Sequence, residues 1–499
     1  MMRMLLLLAL ATILPAVGFA QTLDLDEAIA LALESSYAAR TQRLVLLQAE
    51  QELVAARGRF RTRLDLELDA PDYNESVSPV NEPGQLPVYS TYGSSEWRAG
   101  LTLTQPLPTN GRIGLTGMVR HRTNTVVSDL DAAEARSRTM INNYRLDFVQ
   151  PLFVPNALSL SLERARLNFE DSRRRFTVAQ LDIVYDVTAE FYGFLRAERR
   201  LEIARAELVQ QEEAFQLASR KFTAGLIPEV EALQMEVDLA QSRNNLLSAE
   251  GARAAAADRF KLRLGLPMDG DVDVTAEDTP RFYEVDSSLA HEHALAHRAE
   301  IRNAESDRRR AEITVSETDA RSALTGELRA YYDLTGVASS DVYRDPADLW
   351  DLSWDDLERR PGNRGVTFSL RVPLWDSGVN GAEVAAAKAM LSRSDLDGEE
   401  QQRRVVQEVN AALTALTESR GRLEALGRSV ELAGKSIEIS VQRFANGDIT
   451  SQELALDRDR LTQARMAYLD AFIGYQLAGA DLRRQTLYDF EAGRTMVDE

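Results

Sequence analysis

Two segments of this 499-residue chain are copies of one another, and that duplication limits the fold more than any other feature. Lys221-Phe222-Thr223-Ala224-Gly225-Leu226-Ile227 aligns with Arg443-Phe444-Ala445-Asn446-Gly447-Asp448-Ile449 at an offset of 222. The same offset brings Glu231 onto Glu453, Gln241 onto Gln463, Arg243 onto Arg465 and Leu247 onto Leu469. Upstream it brings Pro151-Leu152 onto Pro373-Leu374. Nearer the start the offset becomes 262, and Leu33, Arg40, Ala49-Glu50 and Arg59 meet Leu295, Arg302, Ala311-Glu312 and Arg321. The first copy therefore carries about 40 extra residues between its first strand and Pro151.

Each copy predicts the same order of elements. An amphipathic helix comes first, over 24–58 and 288–322. Short alternating strands follow, and then a very long helix, over 156–221 and 379–445. A tight turn leads into a return helix, over 228–265 and 450–489. Leu181, Val184, Thr188, Phe191 and Leu195 recur three and four apart, as do Leu423, Leu426, Val430, Ala433 and Ile437. That spacing makes a coiled-coil-like seam, while Arg, Glu and Gln fill the faces toward water. At about 1.5 Å per residue such helices reach on the order of 100 Å. Gly225 and Gly447 suit the left-handed conformation that ends a helix, and Pro228 suits the first turn of the next. Thr450 and Glu453 have the spacing of a capping box. The copies are placed at 21–267 and 288–490, joined by an acidic linker at 268–287 containing Pro280 and followed by a tail at 491–499.

The strands alternate strictly. Leu64, Leu66 and Leu68 are interleaved with Arg63, Asp65, Glu67 and Asp69. Leu146, Phe148 and Leu152 oppose Arg145 and Asp147, and Phe368, Leu370, Val372 and Leu374 alternate with Thr367, Ser369 and Arg371. Leu328, Ala330 and Tyr332 make a shorter set. A half-buried soluble sheet alternates in the same way. Here, though, the strands sit between very long helices, and aromatic residues mark their ends: Trp97, Tyr144, Phe153 and Trp375. This is the pattern of a transmembrane barrel with an interfacial girdle. One chain supplies too few strands to close a barrel, so copies must associate. Segments 71–96 and 335–365, rich in Pro, Asn, Asp and Tyr, are expected as external loops.

The remaining composition agrees. Arg3, the apolar run Leu5–Leu14 and Gly18-Phe19-Ala20 form a secretory signal peptide over 1–20. There is no cysteine, which excludes disulfides, thiolate metal sites and a lipid anchor on cysteine. No later stretch is apolar enough for a spanning helix. The formal net charge of −20 argues against a nucleic-acid partner.

With these features assembled, the chain resembles the TolC-like outer-membrane efflux family. The resemblance rests on the paired [Lys/Arg]-Phe-x-x-Gly turns at 221–225 and 443–447. It rests also on the strand-to-helix passages Val149-Gln150-Pro151-Leu152-Phe153 and Arg371-Val372-Pro373-Leu374-Trp375, and on the early helix Leu25-Asp26-Glu27-Ala28-Ile29-Ala30-Leu31-Ala32. It implies a mainly α chain with a membrane β-barrel, assembled as a homotrimer in the outer membrane and extending as a helical tube into the periplasm. The implied partners are a periplasmic adaptor, an inner-membrane efflux pump or ABC transporter, and outer-membrane lipid, with no cofactor and no metal. The implied tip contacts are Phe222, Gly225, Leu226, Phe444, Gly447 and Asp448. Glu231 and Glu453 stand where the family places an acidic entrance ring; the competing view is that Glu453 merely caps its helix and Glu231 is a solvated charge. A second acid of the family is absent, with Gln234 and Leu456 in its place, and Ile449 replaces a basic latch residue. The extra residues, Leu101-Thr102-Leu103-Thr104-Gln105-Pro106-Leu107, Gly111 and Ile113–Arg120, form one additional hairpin that widens the barrel, extends a loop or folds outside it.

The rival is a soluble periplasmic coiled-coil scaffold or adaptor, which explains the helices and the export signal but not the strands. An enzyme needs convergent reactive groups, and no phosphate-cradling loop or nucleophile motif is present. His291, His293 and His297 have a spacing open to a metal, but they sit on a face that is expected to be solvated.

Overall fold

The computed structural model describes residues 21–80, 88–128, 134–276, 279–321 and 323–496. The expected signal segment 1–20 lies outside the described residues. In chain order the first copy contains β1 (Gln21–Leu23), α1 (Leu25–Ser35), α2 (Tyr37–Gly58), β2 (Arg63–Val80), β3 (Val88–Pro106), β4 (Arg112–Ser128), β5 (Glu134–Leu152), α3 (Ala157–Thr223), α4 (Glu229–Leu264) and β6 (Val272–Val274). The second contains α5 (Ser287–His297), α6 (Ala299–Arg321), β7 (Thr325–Ser340), α7 (Pro346–Arg359), β8 (Asn363–Arg371), α8 (Val379–Asn446), α9 (Ser451–Thr486), β9 (Tyr488–Asp489) and β10 (Arg494–Thr495). The chain divides into two units, one of residues 1–47, 171–304 and 397–499, the other of 48–170 and 305–396.

The long helices are as expected, α3 with 67 residues and α8 with 68. The early helices differ. Each is two helices, broken at Ser36 in the first copy and at Arg298 in the second, positions related by the 262 offset. Ala28, Ala32, Ala290 and Ala294 are all fully buried, so α1 and α5 lie tightly against their neighbours. Ser36 caps α2 by accepting from Ala39 N–H, whereas Arg298 sends its guanidinium to Glu300 and Glu408.

In the first unit the core gathers Phe191, Phe194, Phe260, Leu264, Ile473 and Leu482 around the seam positions of α3. Phe191 meets the Phe260 ring edge-on at 6.0 Å. Burial pushes the Tyr192 phenol up to about 12, so its hydroxyl stays neutral in this core. The segment expected as a plain linker, 268–287, is tied down. Its strand β6 pairs in parallel with β1, Lys261 Nζ donates to the carbonyls of Met268 and Gly270, and Tyr475 Oη donates to the Arg281 carbonyl. Part of the expected tail is also folded, since Arg494 and Thr495 of β10 pair with Asp489 and Tyr488 of β9.

The second unit is built on one antiparallel six-stranded sheet in the order β2-β3-β4-β5-β7-β8. Five of its strands run 16–19 residues and are not the short strands expected. Consequently 71–96 is mostly the continuation of β2 and β3, and 335–365 holds the end of β7, helix α7 and the start of β8. Helical residues of this unit are joined by ion pairs, Arg164 to both carboxylate oxygens of Glu317 at 2.7 and 2.6 Å, and Arg309 to Glu163 at 2.7 Å. The about 40 extra residues of the first copy are two strands within the sheet. The first copy contributes β2 to β5, the second only β7 and β8.

Candidate export duct: the two-faced sheet and the helical tip

Strand geometry places alternate residues on opposite faces, and the pairing register aligns them across the sheet. One face carries Leu64, Leu66 and Leu68 of β2, Leu101 and Leu103 of β3 and Leu115 of β4. It continues through Leu146 of β5, Tyr332 of β7 and Phe368 of β8. Leu66 is 65% exposed and Phe368 56% exposed, so no described residue covers this belt of the face. A contiguous apolar surface of this extent is untenable in water. The apolar stretch of β2 and the nine-residue β8 match the roughly 9–11 residues a tilted strand needs to cross a bilayer.

The opposite face is charged and internally paired. Arg63 bonds Asp65 at 2.7 Å, Arg98 reaches Asp69 at 3.3 Å and Glu96 at 3.0 Å, and Arg122 holds Glu96 at 2.6 Å. Water on one face and hydrocarbon on the other is the condition that satisfies both. Beyond the apolar belt the strands continue with mixed residues, and α7 packs across the apolar side there. Leu349 is fully buried with Met140 and Ala338, and Asn142 Nδ2 donates to Ser353 Oγ at 2.7 Å. Gly336 lies directly under this helix, because any Cβ there would strike the Ser353 carbonyl oxygen. Sequence reasoning missed α7; the spacing of Leu349, Ser353 and Asp356 was the available signal.

Of the four aromatics expected at strand ends, two are not there, because the strands run on past the apolar belt: Trp97 lies in the middle of β3, on the apolar face opposite His121, and Tyr144 in the middle of β5 on the same face, with its ring 5.6 Å from that of Trp354. Phe153 and Trp375 do follow the ends of β5 and β8, with Trp375 87% exposed. The strand-to-helix passages are capped. Asn156 accepts from Ser159 N–H, and Asp376 accepts from Gly378 and Asn380 N–H, which hold the Asp376 carboxyl below its ordinary range.

The residues matched across the duplication at the helical turns adopt one geometry. Gly225 has φ +71 and Gly447 φ +84. Leu226 N–H donates to Lys221 O at 2.9 Å, and Asp448 N–H to Arg443 O at 2.9 Å, the bonds of a Schellman motif. The two turns also touch. Lys221 Nζ donates to the Phe444 carbonyl and lies 4.5 Å from the centre of its ring. Phe444 is therefore buried, whereas Phe222, Gly225, Leu226, Gly447 and Asp448 are exposed. Glu453 closes the expected capping box, accepting from Thr450 N–H at 2.9 Å and Thr450 Oγ1 at 3.2 Å. Those bonds, the backbone one first, hold its carboxyl below the usual range. Glu231 sits in the first turn of α4. The three histidines are half-buried rather than on a solvated face: His293 stacks on His297 at 5.5 Å and lies 4.5 Å from the Tyr488 ring, and His291 bonds Asn410 at 3.0 Å.

Comparison with known proteins decides what this arrangement is. The sequence profile described as outer membrane efflux protein matches residues 112–266 and 290–486. The chain belongs to the outer membrane efflux protein family. Its structure is similar to that of CusC, with a TM-score of 0.66 at 15% identity over 95% of both chains. It is also similar to the outer membrane protein VceC of Vibrio cholerae, with a TM-score of 0.64 at 14% identity over 93% of this chain and 95% of the other. Nodulation protein T of Rhizobium leguminosarum bv. trifolii is 24% identical over 299 residues, 58% of this chain. The chain spans 60% of the length of that relative. Family membership and the uncovered apolar face remove the soluble scaffold from consideration. The protein is an outer-membrane protein of a family of passive efflux channels.

Proposed function

We propose that three copies of this efflux protein form one exit duct, fed by an inner-membrane pump through a periplasmic adaptor. The supporting observation is the sheet itself. It has an uncovered apolar face, an ion-paired face and two open edges, so a single copy can neither face lipid nor close around water. Transport through the duct is passive and non-enzymatic, and the energy comes from the pump. Phe222, Leu226 and Asp448 at the turns meet the adaptor, with Phe444 as the internal strut beneath Lys221. Trp97, Tyr144, Phe153 and Trp375 sit at the two lipid–water boundaries. Glu231 and Glu453 contribute the acidic ring at the entrance. The pump, either proton-driven or an ABC transporter of the type I secretion kind, sets the cargo.

The test is to crosslink whole cells, solubilise the membranes gently and identify what co-purifies by mass spectrometry. The expected result is a detergent-dependent trimer with an adaptor and a pump. Protein washed from membranes without detergent would sink the proposal.

A further inference from the structure

We infer that the outer-membrane barrel of this protein has eighteen strands, because each copy brings a third hairpin that the family-matched segments do not contain. The matched segments 112–266 and 290–486 enclose β4, β5, β7 and β8. Hairpin β2–β3 lies wholly outside them, yet it pairs with β4 over 17 consecutive residues, from Ser90↔Ser128 to Pro106↔Arg112. It is therefore part of the wall and not a loop laid over it.

Hairpins β2–β3 and β4–β5 are copies. Leu101-Thr102-Leu103-Thr104-Gln105-Pro106-Leu107 aligns with Leu146-Asp147-Phe148-Val149-Gln150-Pro151-Leu152 at an offset of 45. Their side chains repeat the same bonds. Gln105 Nε2 donates to the Pro106 carbonyl at 2.6 Å, and Gln150 Nε2 to the Pro151 carbonyl at 2.8 Å. Gln105 Oε1 accepts from Thr62 Oγ1 just before β2, and Gln150 Oε1 accepts from Thr109 Oγ1 just before β4. The chain thus holds three hairpin units where the family-matched segments hold two.

The edges are compatible with closure by further copies. β2 runs away from its helices and β8 runs toward them, so β8 of one copy meets β2 of the next in antiparallel sense. Leu64, Leu66 and Leu68 lie on the same apolar face as Val366, Phe368 and Leu370, so joining the edges keeps lipid on one side and water on the other. Such head-to-tail contacts close into a ring. This step rests on the three-copy duct proposed above, and three six-stranded sheets make eighteen strands. With strands about 4.8 Å apart and tilted about 40°, eighteen enclose a ring about 36 Å across between backbones, against about 24 Å for twelve. Barrels of that count hold an open aqueous channel.

Single-particle imaging of the detergent-purified full chain tests the inference by counting copies and strands. Three copies enclosing eighteen strands is the expected result. Three copies enclosing twelve, with β2–β3 outside the wall or inside the lumen, overturns the inference and leaves the duct intact. Any other copy number overturns both. The chain has no cysteine, so the seam is probed independently. Phe368→Cys, combined in turn with Leu64→Cys, Leu66→Cys and Leu68→Cys, should give a disulfide-linked ladder up to the trimer in at least one pair. Monomer alone in all three, in membranes that contain the trimer, overturns the β2–β8 seam.

Discussion

At the scale of single residues, one position shows how the copies diverged. Ser36 and Arg298 occupy equivalent helix breaks, but only Arg298 spans a set of acceptors: Glu300 at 2.7 Å, Glu408, and Gln485 Oε1 at 3.0 Å. Burial works against the Glu300 charge, and the Arg298 hydrogen bonds outweigh it and hold its carboxyl below the ordinary range. A depressed carboxylate contributes stability above its unfolded value near 4.5 and loses it as pH falls through the folded value. Arg298→Met should therefore destabilise by about 2 kcal/mol at pH 7, a figure below the usual cost of breaking a buried pair because both glutamates are partly exposed. The deficit relative to wild type should shrink below about pH 4. Urea unfolding followed by tryptophan fluorescence at the two pH values checks this, and an equal deficit at both would discard the ion-pair explanation. The tip glycines make a simpler case. At φ +84 and with open space where a Cβ would go, Gly447→Ala should cost only the left-handed backbone penalty of about 1 kcal/mol. Hydrogen exchange at the Asp448 amide, which closes the turn, should accelerate accordingly.

At the scale of elements, legibility followed periodicity. The long helices α3 and α8 were readable to within two residues because Leu181 through Leu195 and Leu423 through Ile437 keep one seam over many turns. The apolar half of each strand was readable for the same reason, with a period of two. Strand length was not, because above Leu68 or Tyr144 apolar and polar residues are mixed on both faces and alternation carries no signal. Helix α7 was hidden because Asp348, Trp350, Asp351 and Asp355 look like exposed loop chemistry, and because the surface it covers is shared between neighbouring β7 and the sequence-distant Met140 and Asn142 of β5. The paired helical turns were found by their duplication, yet only contacts between copies show that Phe444 is covered by Lys221. Gly336→Leu should lift α7 off the sheet, break the Asn142–Ser353 bond and expose 341–362 to protease while the trimer still forms; unchanged proteolysis would mean the helix does not depend on that contact. Leu226, Val230, Leu233 and Val237 form an exposed stripe on α4 and its turn, spaced four, three and four apart, as in a coiled-coil seam lacking its partner helix. Val230→Glu with Val237→Glu should cut adaptor co-purification at least tenfold and leave membrane insertion unchanged.

At the scale of the whole molecule, rotation of one chain about a common axis turns single residues into rings. In the proposed trimer Glu231 and Glu453, one carboxylate each in a chain, would form a circle at the proposed entrance, where a constriction would concentrate their field. Helix capping and charge can be separated, because glutamine at the third helical position still closes a capping box while carrying no charge. Glu231→Gln with Glu453→Gln should therefore keep the α9 start intact and weaken the preference for cations, measured as the reversal potential of single channels in a salt gradient. The Thr450 backbone N–H and hydroxyl hold the Glu453 carboxyl below its ordinary range, so its charge persists as pH falls past the usual carboxylate value. Wild-type selectivity should then survive mild acidification and fall only below about pH 4, while the double variant stays flat across the same range. A reversal potential identical in wild type and variant at neutral pH would confine Glu453 to its helix cap and leave Glu231 as an ordinary solvated charge.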